Sequence, residues 1–158
     1  MLRKLVLVRH GDAEFFGPEG TDASRRLSKH GKRDLKKAYP DIFDCLRAEE
    51  DLHVWVSPAV RALQTAKVLA KVLDIDPDDF DIHNSLYEQY DEEFLAELDA
   101  EGDGIVIAVG HIPFMNRMLY ALTGEDIPFG KGSVACIAFA DGELKNAQLE
   151  WFETVPKA

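Results

Sequence analysis

The sequence predicts an α/β protein built on a largely parallel sheet with helices on both faces and an antiparallel C-terminal edge. Three observations predict it. Short apolar, β-branched runs alternate with helical patterns along most of the chain. One of those runs, Ile105–Val109, is apolar at every position, as a strand buried on both faces must be. The C-terminal third then holds two strand candidates, Ser133–Phe139 and Ala147–Phe152, with Asp141-Gly142 between them as a hairpin signal.

At 158 residues the chain is read as a single domain over 1–158, and its 46% hydrophobic and 30% charged residues are ordinary for a globular protein. The formal net charge of −11 argues against general binding to nucleic acid or to an anionic membrane, which needs broad basic surface. It also means that binding an anionic group requires positive charge concentrated in one pocket. Cys45 and Cys136 form no C-x-x-C pair, so zinc and thioredoxin-like readings find no support. Cys136 is read as a small core residue within Val134–Phe139. The apolar run near the N-terminus is too short for a signal peptide or a membrane span, so a cytoplasmic protein with reduced thiols is expected.

The chain opens on Lys4-Leu5-Val6-Leu7-Val8-Arg9-His10-Gly11, a buried central strand that ends in Arg-His-Gly, with Gly11 read as a sharp turn. Asp12–Asp22 is a long loop by its Gly, Pro and Asp content. Ser28 caps a helix expected from about Lys29 to Ala48, with Pro40 placed to kink or divide it. Leu52–Val56 is the second strand, followed by Ser57 as N-cap and Pro58 at the first helical position. The next helix carries Val60, Leu63, Ala66, Leu69 and Leu73 on its apolar face. An acidic connection, Asp74–Asp81, leads to a short strand around Phe80–His83, then to Asn84–Gln89 and a helical pattern from about Asp91 to Leu98. Ile105–Val109 ends in Gly110-His111, repeating the design of the first strand, and a helix follows that stops near Thr123-Gly124.

In an open α/β sheet, chemistry sits at the carboxyl ends of the strands. Three such ends carry the polar groups: Arg9 and His10, Arg61 just beyond the second strand, and His111. A cation in the first turn of a helix is disfavoured by the dipole, so Arg61 makes most sense beside an anion. Two His and two Arg are expected to need a strong anion between them, and a phosphoryl group suits the bidentate grip of Arg. One His could attack phosphorus while the other stabilises the equatorial oxygens. A metal-site reading is weaker, because two Arg would repel the ion and no third ligand is evident. Solubilising charges at the strand ends are the alternative for Arg9, His10 and Arg61.

These residues resemble the histidine phosphatase, or phosphoglycerate mutase-like, superfamily. Leu7-Val8-Arg9-His10-Gly11 is similar to its signature, Ser57–Ala66 to its second motif and Val109-Gly110-His111 to its third. Arg-His-Gly-Asp-Ala-Glu, Arg26–Gly31 and Gly110-His111-Ile112-Pro113 resemble the small phosphohistidine phosphatase branch, SixA-type. The resemblance implies a three-layer α/β/α sandwich. It implies His10 as the nucleophile, with Arg9, Arg61 and His111 binding the phosphoryl group, no metal or other cofactor, and a phosphohistidine intermediate that water hydrolyses. Larger members use a Glu in a Leu-x-Glu setting as general acid. Leu86-Tyr87-Glu88 fits, which makes Glu88 the candidate, with Asp12 and Glu14 as alternatives. Asp12-Ala13-Glu14-Phe15-Phe16 departs from the mutase pattern, which puts mutase activity in doubt.

The expected partner is therefore a phosphohistidine-bearing protein, since so short a chain leaves few insertions to build a lid. A small phosphate ester is the second reading, with the loop Phe15–Ser24 and the acidic segment from Asp74 available to close over it. A non-catalytic phosphoprotein-binding module is the third. His30, His53 and His83 have no partner evident in the sequence and are read as structural.

Overall fold

The parity of the first strand sorts the whole core. In β1 (Leu2–Arg9), Val6 and Val8 point to one side, where they meet Leu35, Tyr39 and Leu69. Leu5 and Leu7 point to the other, where they meet Phe94, Phe114 and Met118. Alternate side chains of a strand face opposite ways, so a run that is apolar at every position demands cover on both faces. The computed structural model, which describes residues 1–158, supplies that cover. Helices α1 (Lys29–Ile42) and α2 (Val60–Leu73) lie on one face. Helices α3 (Asn84–Glu88), α4 (Asp91–Glu101) and α5 (Phe114–Thr123) lie on the other. The result is the three-layer α/β/α sandwich.

The remaining strands are β2 (Leu52–Val56), β3 (Asp81–Ile82), β4 (Gly104–Gly110), β5 (Val134–Phe139) and β6 (Ala147–Glu153). Their order in the sheet is β3-β2-β4-β1-β5-β6. The first four are mutually parallel, β5 runs antiparallel to β1, and β6 antiparallel to β5. The expected parallel sheet with an antiparallel C-terminal edge is what forms. Asp141 and Gly142 both take positive φ, 57° and 70°, in the connection between β5 and β6. No helix is long and apolar enough to cross a membrane.

Three local expectations need correction. The helix from Lys29 stops at Ile42, and a separate 3-10 turn covers Asp44–Leu46. Pro40 has no N–H to continue the ladder, so the helix ends within a turn of it. Ser57 and Pro58 precede the helix rather than start it: α2 begins at Val60, with Ala59 at the N-cap position. Ser57 has a different task, described below. Gly11 does not take a positive φ. Its lack of a side chain is needed for space, because a Cβ there would lie 2.9 Å from Leu35 Cδ1.

Candidate active site

Register brings the polar strand ends together. β4 lies between β2 and β1, with Arg9 opposite Gly110 and Val56 opposite Val109. His10, Ser57 and His111 therefore leave the sheet side by side. After β1 the chain crosses to the face covered by α1, and after β4 to the face covered by α5. A crevice opens where neighbouring strands send their connections opposite ways, and ligands of such sheets bind there. His10 and His111 stand on its two sides, ring centroids 5.2 Å apart. The crevice is an open cavity of about 370 Å³ lined by Arg9, His10, Arg61 and His111, together with Asp22, Arg25, Tyr87, Gln89 and Ile112.

His10 is held in one tautomer. Its Nδ1 lies 2.7 Å from the Gly11 carbonyl, which can only accept, so Nδ1 carries the proton. Nε2 is then the unprotonated nitrogen, and Arg61 Nε donates to it at 3.4 Å. Backbone bonds fix the segment: His10 N–H donates to the Gly110 carbonyl, and the His10 carbonyl accepts from Gly132, both at 3.0 Å. Burial pushes the His10 pKa down, the Gly11 carbonyl opposes it, and the positive Arg61, Arg9 and Arg25 add to the fall, leaving it at about 4. The ring is neutral at physiological pH, as a nitrogen nucleophile must be.

His111 is neutral for the same first reason. Burial, then His10 and Arg61, lower its pKa to about 3 against a weaker opposing pull from Asp22. Its Nε2 lies 2.8 Å from Ser57 Oγ, which also accepts the Ala59 N–H at 3.2 Å. Ser57 is fully buried, so this hydroxyl orients His111 from behind. The expectation that two His and two Arg need an external anion is thus corrected on two counts. The imidazoles carry no charge, and the chain supplies an anion of its own.

That anion is Asp22. Arg61 Nη2 donates to Asp22 Oδ2 at 3.0 Å, and Arg61 Nη1 donates to the Asp22 carbonyl at 2.8 Å. Tyr87 Oη donates to Oδ2 at 2.8 Å, and Arg25 Nη1 to Oδ1 at 3.1 Å. Partial burial pushes the carboxyl up, but these hydrogen bonds outweigh it and hold the pKa at about 2. Arg61 is buried in the first turn of α2, and Thr65 Oγ1 donates to its carbonyl at 2.8 Å while accepting the Gly11 N–H at 3.2 Å. Arg9 donates Nη1 to the Phe129 carbonyl at 3.0 Å, but its Nε is buried with no partner. A buried donor without an acceptor is costly, and an oxyanion in the crevice would supply one.

Arg9, His10, Arg61 and His111 are therefore brought together. Glu88 is not, and this corrects its assignment beside the reaction. It is exposed, forms no hydrogen bond or ion pair, and does not line the cavity, although Tyr87 and Gln89 on either side do. Successive residues of a helix turn by about 100°, so in the short α3 a Tyr87 aimed inward sends Glu88 away. Asp12 is engaged elsewhere: it accepts from Ser28 Oγ at 2.6 Å, pairs with His30 at 2.8 Å and meets Lys131. Glu14 pairs with Arg26 at 3.5 Å, outside the cavity.

Sequence reasoning misses Asp22, Arg25 and Tyr87. The available signal was the one used for Arg61, that a first-turn Arg needs an anion, but nothing in the sequence says which of 29 acidic residues reaches it. The histidines read as structural do have partners: His30 meets Asp12, His53 meets Asp51, and His83 meets Glu97 while stacking on Trp55 at 4.0 Å. Cys136 is buried in the core, and burial pushes its thiol up to about 12, so it is inert.

A family model for the histidine phosphatase superfamily, branch 1, matches residues 5–92. Solved structures with the same fold include a protein histidine phosphatase SixA complexed with tungstate, 22% identical, covering 96% of each chain with a TM-score of 0.78. A protein assigned as the phosphohistidine phosphatase SixA of Agrobacterium tumefaciens is 24% identical, over 99% of this chain and 100% of that one, with a TM-score of 0.80. Its counterpart from Nakamurella multipartitia is 25% identical, over 98% and 97%, with a TM-score of 0.76. No curated protein sequence matches the chain significantly.

Proposed function

Because the chain belongs to the histidine phosphatase superfamily and is a phosphatase, we propose that it removes the phosphoryl group from phosphohistidine carried on another protein, through a covalent intermediate on His10. We read residues 1–158 as one histidine phosphatase domain. The observation that carries the substrate reading is the protonation state of the crevice. Its one carboxylate, Asp22, is held ionised, and both imidazoles have pKa values of about 4 or lower. An alkoxide leaving group needs an acid poised near the working pH. The imidazole of a phosphohistidine does not, because it takes its proton from water or leaves already protonated.

In the proposed sequence His10 Nε2 attacks phosphorus while the P–N bond to the substrate imidazole breaks. Arg9, Arg61 and His111 hold the three equatorial oxygens, with the unpartnered Arg9 Nε supplying one donor. Water then attacks the phosphorus of phospho-His10, and inorganic phosphate leaves as the His10 ring is restored. No step calls for a metal. A protein-borne substrate is supported by Phe15 and Phe16, 88% and 85% exposed in the loop that follows Glu14, whose carbonyl accepts from the crevice residue Arg25 at 2.8 Å. Exposed aromatic pairs beside a site suit a protein partner.

The test compares hydrolysis of protein phosphohistidine, free phosphohistidine and a panel of small phosphate esters, without added metal, by wild type and His10→Ala. Turnover fastest on protein phosphohistidine and lost in His10→Ala is expected. A strong preference for one small ester would move the substrate to that class.

A further inference from the structure

On the α1–α2 side of the molecule lies a second depression of about 700 Å³, larger than the catalytic crevice and separate from it. One wall is a stripe of α1: Lys32, Lys36 and Pro40, four residues apart. The other is a stripe of α2: Gln64, Lys67, Val68 and Lys71. Arg47, after the end of α1, completes the rim. Spacings of three and four place each set on one helix face. No Asp or Glu lines the groove, and Lys32, Lys36, Lys67 and Lys71 take part in no ion pair. Arg47 pairs only with Asp44, at 3.1 Å.

In a chain of net charge −11, five of the 18 Lys and Arg gather in one groove, and only Arg47 among them has a counter-charge. Like charges so placed repel one another, and an anionic partner relieves that repulsion. We propose that this α1–α2 groove docks an acidic segment of the phosphorylated protein while its phosphohistidine enters the crevice. The inference rests on the protein-phosphohistidine reading above. Position favours it. Gln64 lies one helical turn beyond Arg61 and accepts the Leu27 N–H at 2.7 Å, two residues along the chain from Arg25, which lines the crevice. Lys71 lies ten residues beyond Arg61, about 15 Å along the helix. A single folded domain spans that distance.

Charge also limits the length of the occupant. Beyond α2 the chain enters Asp74, Asp76, Asp78 and Asp79, all exposed. A long, uniformly charged strand of nucleic acid leaving the groove would meet these carboxylates, whereas a short acidic segment ends before them.

The triple variant Lys36→Gln/Lys67→Gln/Lys71→Gln tests the proposal, since all three side chains are exposed and outside the crevice. The substrates are an acidic histidine-phosphotransfer domain phosphorylated with phosphoramidate, a basic phosphohistidine peptide, and free phosphohistidine. The variant is expected to raise KM for the acidic domain about tenfold with kcat unchanged, and to leave the other two substrates as they were. High salt should raise the wild-type KM for the acidic domain and barely move that of the variant. Equal KM values in wild type and variant, with wild-type turnover of the domain intact, overturn the groove as a dock and leave the substrate reading standing. A wild type inactive on both protein-borne substrates rejects the substrate reading and the dock with it. Equal losses on all three substrates also overturn the dock, because they place the effect at the crevice.

Discussion

Asp22 occupies both terminal nitrogens of Arg61, one through its carboxylate at 3.0 Å and one through its backbone carbonyl at 2.8 Å. If Arg61 binds the phosphoryl group as proposed, the free enzyme keeps a carboxylate in that position, and the substrate has to share or displace it. Asp22→Asn removes that charge while keeping the backbone contact. Charge-assisted hydrogen bonds exceed neutral ones by about 1 kcal/mol, so the variant should bind inorganic phosphate about threefold to tenfold more tightly, read as a lower inhibition constant. Weaker phosphate binding would show instead that Asp22 serves only to aim Arg61.

The pH dependence has a definite sign. His10 and His111 have folded pKa values depressed to about 4 and about 3, below the unfolded value of 6.5. Between those values the unfolded chain takes up protons that the folded protein refuses. Stability from these rings is thus fully present above pH 6.5 and is lost as pH falls toward 4, at on the order of 1 kcal/mol per pH unit for each ring. Urea unfolding at pH 7.5 and pH 5.0 should show the drop, and His10→Ala should make it smaller. A pH-independent midpoint in that window would mean that the folded rings take up protons as readily as the unfolded ones, so that neither pKa is depressed.

Catalysis should follow the folded values. The kcat/KM for phosphohistidine should hold level on the enzyme side from pH 8 to about pH 5 and fall as His10 is protonated near 4. An enzyme-borne loss centred near 6.5 would place His10 in a more solvated setting than the crevice.

Glu88→Gln should leave kcat for phosphohistidine within about twofold of wild type, because the side chain is exposed and unpartnered. A loss of tenfold or more would mean that the carboxyl reaches the substrate, and the geometry of α3 would then have to change on binding.

Ser57→Ala strips the hydrogen bond behind His111 and leaves two buried groups, His111 Nε2 and the Ala59 N–H, without their partner. Each such loss costs about 1–3 kcal/mol. The variant should be less stable and should lose kcat more than KM. Ser57→Thr retains the hydroxyl and should recover much of kcat. Equal activity in Ser57→Ala and wild type would reduce Ser57 to a turn residue.

How much of this was legible in advance differs by residue. Val6 and Val8 against Leu5 and Leu7 already implied cover on both faces, because strand side chains alternate regardless of what packs on them. Ser28 was legible as a cap because its bond to the Gly31 N–H is local, at 3.0 Å. Ser57 looked like the same motif and was not, since its hydroxyl is shared with a histidine 54 residues away. Glu88 fitted a three-residue pattern, but which way its side chain points depends on how α3 rests against β4.

By itself, then, the sequence determined the α/β alternation, the strand ends that carry Arg9, His10 and His111, and the helix start that carries Arg61. These follow from short-range periodicity and from the rule that such sheets work at their carboxyl ends. Only the tertiary structure decided that the two histidines are neutral, that Asp22 and Tyr87 close on Arg61, that Glu88 faces away, and that five cations share one groove. The physical reason is that burial, charge pairing and pKa depend on distances between residues far apart in the chain, and no local pattern encodes those distances.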